Sequence, residues 1–150
     1  MRIEILSVRG ANKIPLRNES RGVKKILSIL NLLIAFYQKP SLCVVIDELD
    51  AGIFEYLLGE LLQILKDNGR GQLLFTSHNL RPLELLEKNN LVFTTTNPER
   101  RFIRVKNIAA TNNLRDVYLR AINLGGQEEE IYRPTDPFTI SRAFRKVGED

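Results

Sequence analysis

The chain has 150 residues, of which 43% are apolar and 27% charged, with a formal net charge of +4. That length and apolar content suit one globular domain with a real core and exclude a disordered tail, while the mild positive charge permits nucleic acid or a phosphorylated ligand without implying either. A single cysteine, Cys43, excludes an intrachain disulfide framework and, from its place in the apolar run LCVVI, reads as a reduced core residue.

In chain order, residues 2–8 (RIEILSV) alternate polar and apolar and predict a half-buried strand, followed by a turn-like GANKIP. From Glu19 to about Tyr37 the apolar residues Val23, Ile26, Leu27, Leu30, Leu33, Ile34 and Tyr37 recur at helical spacing and predict one buried face, with Pro40 closing the helix. The apolar patch ILSILNLLIAFY is interrupted by Ser28 and Asn31 and lies inside the chain, so it suggests neither a membrane span nor a secretory signal, and a cytoplasmic protein is expected. LCVVI (42–46) is a continuous apolar run, expected of a strand buried on both faces in a parallel sheet. A helix over 53–66 ends near Gly69 and Gly71, and QLLFTS (72–77) forms the next strand. A short helix after Pro82 follows, then strands at 91–96 and 101–106 around the turn NPER, a helix over roughly 113–124 stopping at Gly125-Gly126, and another near 138–146. No repeat or low-complexity linker divides the chain. The expectation is a single α/β domain with a mostly parallel sheet and flanking helices, its sheet-containing core over about 1–112 and a C-terminal helix and tail over about 113–150.

The chemistry collects at the ends of these strands. Asp47 and Glu48 follow the apolar run, so the strand delivers them to its carboxyl edge, where open α/β sheets take their ligands. An acidic pair that merely ends a strand and caps the next helix is common. Here it has two companions. His78, the chain's one histidine, falls just past the second buried-looking strand; most lone histidines are surface or satisfied core residues, but this position points to a phosphate contact. Ser20 and Gly22 stand at a helix start, where unpaired amides and the helix dipole favour an anion, although a serine there is also an ordinary cap.

In order, NESRG before a long helix, LCVVIDELD and FTSHN resemble the signature motif, Walker B strand and switch histidine of ATP-binding-cassette-type ATPases. The similarity is to the branch of AAA-type ATP-binding proteins that includes RecF, SMC and the overcoming-lysogenization-defect family, and it runs from about Pro15 to Asn79. NLRDVYLRAINLGG is similar to their C-terminal helix. The resemblance implies a P-loop NTPase fold, with ATP and Mg²⁺ as ligands of the complete assembly. It makes Asp47 the magnesium-associated acid, Glu48 the catalytic carboxylate and His78 the sensor of the γ-phosphate. Ser20 and Gly22 then face nucleotide bound on a second subunit, and Asp50 and Ala51 lie in the loop that communicates across the dimer. Phe54 departs from the pattern, since many relatives carry Asp or His there.

No GxxxxGK[ST] phosphate loop occurs anywhere in the 150 residues. The expectation is therefore an incomplete domain, the C-terminal half of such an ATPase, inactive alone, which self-associates or joins a polypeptide bearing the Walker A loop. DNA repair and phage defence are contexts the resemblance suggests. The alternative is a non-catalytic interaction module, binding protein or using Arg100, Arg101, Arg104 and Lys106 on nucleic acid, although basic residues in a strand pair are more often a solvated face.

Overall fold

The computed structural model describes residues 3–104, 113–124 and 129–147. The chain forms two compact units, Met1–Leu86 and Glu87–Asp150.

The first unit opens with strands β1 (Leu6–Arg9) and β2 (Asn12–Pro15), paired antiparallel with Arg9 opposite Asn12. Gly10, with φ +59°, is the first of the two turn residues, the position where this kind of hairpin turn needs positive φ. The expected strand is thus shorter and later than 2–8, and four of the six residues of the expected turn form its partner. Nor is it half-buried: Ile3, Ile5 and Val8 are exposed.

Helix α1 (Arg21–Gln38) begins at Ser20, whose hydroxyl accepts from the Val23 N–H at 3.2 Å. It is apolar around most of its circumference, so spacing alone leaves two candidate faces. Ile29, Leu33 and Phe36 are buried and Ile26 packs beside them, whereas Leu27, Leu30, Ile34 and Tyr37 of the expected face are exposed. The buried face is rotated from the expected one because the sheet lies on that side.

Strand β3 (Cys43–Ile46), helix α2 (Glu55–Asn68) and strand β4 (Gln72–Phe75) form a βαβ unit, with β3 and β4 parallel and Ile46 opposite Phe75. Val44 and Ile46 join Ile29, Leu33 and Phe36 of α1, Leu49 and Ile53 of the connecting loop, and Leu58, Leu62 and Leu65 of α2 in one core. Burying a Leu- or Phe-sized side chain stabilises by about 1.5–3 kcal/mol. The other face of β3 is open: Val45 is 72% exposed and Cys43 is exposed too. This corrects both the doubly buried strand and the core cysteine, because among the described residues only one face of the sheet is packed. A short helix α3 (Pro82–Leu85) completes the unit.

In the second unit, β5 (Phe93–Thr94) pairs antiparallel with β6 (Phe102–Ile103). The backbone N–H of Thr96 donates to the Glu130 carbonyl at 2.9 Å, and Phe93 stacks on Tyr118 of helix α4 (Leu114–Leu124). Helix α5 (Pro137–Val147) has no buried residue. The expected end of the strand at 105–106, Lys106 with it, and the stop at Gly125-Gly126 lie outside the described residues.

Among the described residues the sheets are three pairs, one parallel and two antiparallel. The α/β class holds, but the mostly parallel sheet is reduced to β3–β4, since the first and third pairs close locally as hairpins. No helix among the described residues is long and apolar enough to cross a membrane.

Candidate functional site

The parallel register that sets Ile46 beside Phe75 also brings the next residues of both strands together. Four consecutive residues, the last of β3 and the three that follow it, are held by one residue leaving β4. The Thr76 N–H donates to the Ile46 carbonyl at 3.1 Å, and the Leu49 N–H donates to the Thr76 carbonyl at 3.0 Å. Between these, the Thr76 hydroxyl donates to Asp47 Oδ1 and accepts from the Glu48 N–H at 2.8 Å. Leu49, fully buried, anchors the turn in the core.

Glu48 occupies the left-handed region, with φ +48°. A non-glycine residue there costs about 1–3 kcal/mol and clusters at functional positions. The turn leaves the Asp47 and Glu48 carboxylates exposed at the strand end. His78 Nε2 lies 4.0 Å from Glu48 Oε1, with both side chains mostly exposed, so the pair is a loose solvent-facing contact rather than a strong ion pair.

Asp50 acts on the histidine from behind. Its carboxylate accepts from the His78 N–H at 3.2 Å and the Asn79 N–H at 3.1 Å. Asn79 Oδ1 in turn accepts from the Arg81 N–H at 2.8 Å, so the segment after β4 is a chain of side-chain-capped turns. The residue expected to communicate across a dimer is here bonded within its own chain.

The start of α1 flanks the same loop. A Cβ built on Gly22 would stand 2.4 Å from the Gly52 carbonyl oxygen, and Gly52 itself has φ +74°. Only glycine at position 22 allows this approach. Lys25, one turn on, donates from Nζ to the Asp47 backbone carbonyl at 3.1 Å. Gly22, Asp47, Glu48, Asp50 and His78 are thus gathered around two strand ends and one helix start. Ser20, at that helix start, has its hydroxyl on the Val23 amide, the ordinary capping role of a serine there. Phe54, beyond the loop, is exposed against Tyr56 with ring centroids 5.6 Å apart.

Two contributors to the site, and one buried acid beside its helix start, escape a reading of the sequence. Thr76 precedes His78 in the very strand-end motif FTSHN, but its role depends on parallel register, which no local pattern carries. Lys25 reads as an off-face helix residue. Glu19, 8% exposed, meets Arg9 of β1 at 2.8 Å through Oε2, while its Oε1 is buried without a hydrogen-bond partner. An acid directly before a capping serine was the available signal; its hairpin partner was not legible.

Of the four basic residues named for nucleic acid, the three that are described are engaged locally. Arg100 pairs with Glu129 at 3.3 Å, Arg101 Nε donates to the Pro98 carbonyl at 3.2 Å, and Arg104 donates to the Asn89 carbonyl.

Among the described residues no group of three or more His, Cys, Asp or Glu side chains could hold a metal ion. No curated protein matches the chain. Residues 3–84, more than half of it and including all the strand-end residues above, match the family described as "AAA domain, putative AbiEii toxin, Type IV TA system". On that match, the chain belongs to this AAA-domain family and is of the nucleotide-binding, ATPase type.

Proposed function

We propose that this chain supplies the hydrolytic part of a composite ATPase site whose phosphate loop comes from outside these 150 residues. The observation that carries the reading is the placement of Asp47, Glu48 and His78 at adjacent carboxyl ends of one parallel strand pair, the place where open α/β sheets take ligands.

The donor set fits magnesium ATP. A nucleotide-bound Mg²⁺ takes one or two carboxylates and completes its shell with phosphates and water, so one exposed aspartate at a strand end suffices and a protein-only cage is not required. Asp47 has one oxygen on the Thr76 hydroxyl and is the residue that would hold the ion. When bound, magnesium ATP provides the phosphoryl group to be transferred and the counter-charge to its oxygens. Glu48 orients the attacking water and accepts its proton. His78, its backbone fixed by Asp50, contacts the terminal phosphate. Ser20 and Gly22 present the start of α1 to nucleotide held by a second subunit, and Asp50 and Ala51 transmit that contact.

The partner in this reading is a polypeptide bearing the phosphate loop or a second copy of the chain. Val45 and Leu74 on the open sheet face and Leu27, Leu30, Ile34 and Tyr37 on α1 are apolar and exposed, the surface that association covers.

The test mixes the chain with a polypeptide carrying the phosphate loop and follows ATP turnover, with calorimetric titration for binding. Glu48→Gln keeps the shape but cannot take the proton, so turnover falls by about 10²–10⁴ while ATP binding persists. Equal hydrolysis by the variant refutes the assignment of Glu48.

A further inference from the structure

We propose that Thr76 is a positioning residue of the hydrolytic site, its hydroxyl setting both the Asp47 carboxylate and the backbone turn that aims Glu48. The inference rests on the composite-ATPase reading and adds to it a residue outside the signature, Walker B and histidine assignments.

The direction of each bond is fixed by chemistry. A carboxylate oxygen can only accept, so the Thr76 proton goes to Asp47 Oδ1; a backbone N–H can only donate, so the Glu48 amide takes a hydroxyl lone pair. The three groups form one directed relay, Glu48 N–H to Thr76 O–H to Asp47, in which each bond polarises the next. One end holds a carboxylate oxygen still, leaving Oδ2 to face a ligand. The other end holds the amide of a residue in the left-handed region, a conformation that persists only where its surroundings impose it.

The backbone bonds of Thr76 to Ile46 and Leu49 need no particular side chain. Only the hydroxyl is specific to the residue type. Valine matches threonine in shape but offers neither donor nor acceptor, whereas serine keeps both and loses only the β-branch that restricts the rotamer. The pair therefore separates hydroxyl from packing.

Two measurements test this on Thr76→Val and Thr76→Ser. In the full chain alone, hydrogen exchange followed by NMR reads the Glu48 amide. Valine accelerates its exchange about tenfold or more relative to the Leu49 amide, and serine leaves it near wild type. In the assembly with the phosphate-loop polypeptide, valine lowers kcat about ten- to hundredfold, the scale of a lost hydrogen bond to a charged group, with KM for ATP unchanged. Serine restores most of kcat. Unchanged Glu48 exchange in the valine variant overturns the proposal, as does full turnover despite lost protection. A fall in kcat that serine does not rescue reduces Thr76 to packing. A wild-type assembly without turnover sinks the ATPase reading itself and this role with it, and is told apart because the exchange result is read without nucleotide.

Discussion

Gly22→Ala puts the contact between the start of α1 and the carboxylate loop to a direct test. The added methyl would lie 2.4 Å from the Gly52 oxygen and 3.2 Å from the Gly52 carbonyl carbon, where ordinary contact begins at 3.4 Å. Both neighbours are backbone, so the methyl cannot be relieved by a side-chain rotation, and the helix start and the loop must separate by about 1 Å. Overpacking of this kind costs about 1–3 kcal/mol. Alanine's helix preference over glycine returns at most about 1 kcal/mol, and less in the first turn. The net is a loss of about 1–2 kcal/mol, which for a unit of this size lowers Tm by roughly 5–15 °C. Thermal unfolding followed by circular dichroism measures it in the chain alone, without nucleotide. A variant as stable as wild type, or more so, refutes the close approach and returns Gly22 to a purely ligand-facing role.

Two further outcomes concern surface features. Cys43, exposed on the open face of the sheet, reacts with a thiol reagent in the folded chain as fast as an unprotected thiol within about tenfold; a thiol that reacts only after denaturant restores the core reading. Asp136 caps α5, accepting from the Thr139 hydroxyl and then from the Phe138 amide, and these bonds hold its carboxyl below the ordinary value. A depressed folded pKa contributes stability above the unfolded value of about 4, and that contribution is lost as pH falls through the folded pKa. The helical signal of α5 therefore declines on acidification below about pH 4 in wild type, and Asp136→Asn flattens that decline; the same acid response in both refutes the cap.

The βαβ unit from β3 to β4 was legible because a continuous apolar run, a helical period and a second apolar run are each local signals. So was the position of Asp47, Glu48 and His78 just past the two strand ends, since a strand necessarily delivers the next residues of the chain to its carboxyl edge. Features that depend on partners were not legible. Helix α1 carries apolar residues on both sides, and only the sheet decides that Ile29 and Phe36 go inward while Leu30 and Ile34 stay out. Val45 alternates with buried Val44 and Ile46, but an all-apolar run hides that alternation. Asn12–Pro15 became a strand because Gly10 folds it back on β1. Thr76 and Glu19 acquired their roles from residues far away in sequence, Asp47 and Arg9.

The left-handed backbone at Glu48 sets backbone strain against an exposed carboxylate at a single position. Glycine would relieve a strain of about 1–3 kcal/mol there, and asparagine part of it, yet neither brings a carboxylate to the strand end. Left to accumulate changes under selection for folding alone, position 48 would drift toward those residues, and its backbone N–H would still donate to the Thr76 hydroxyl while the carboxylate was lost. The glutamate thus keeps a carboxylate at the strand end at a cost in stability that glycine would avoid.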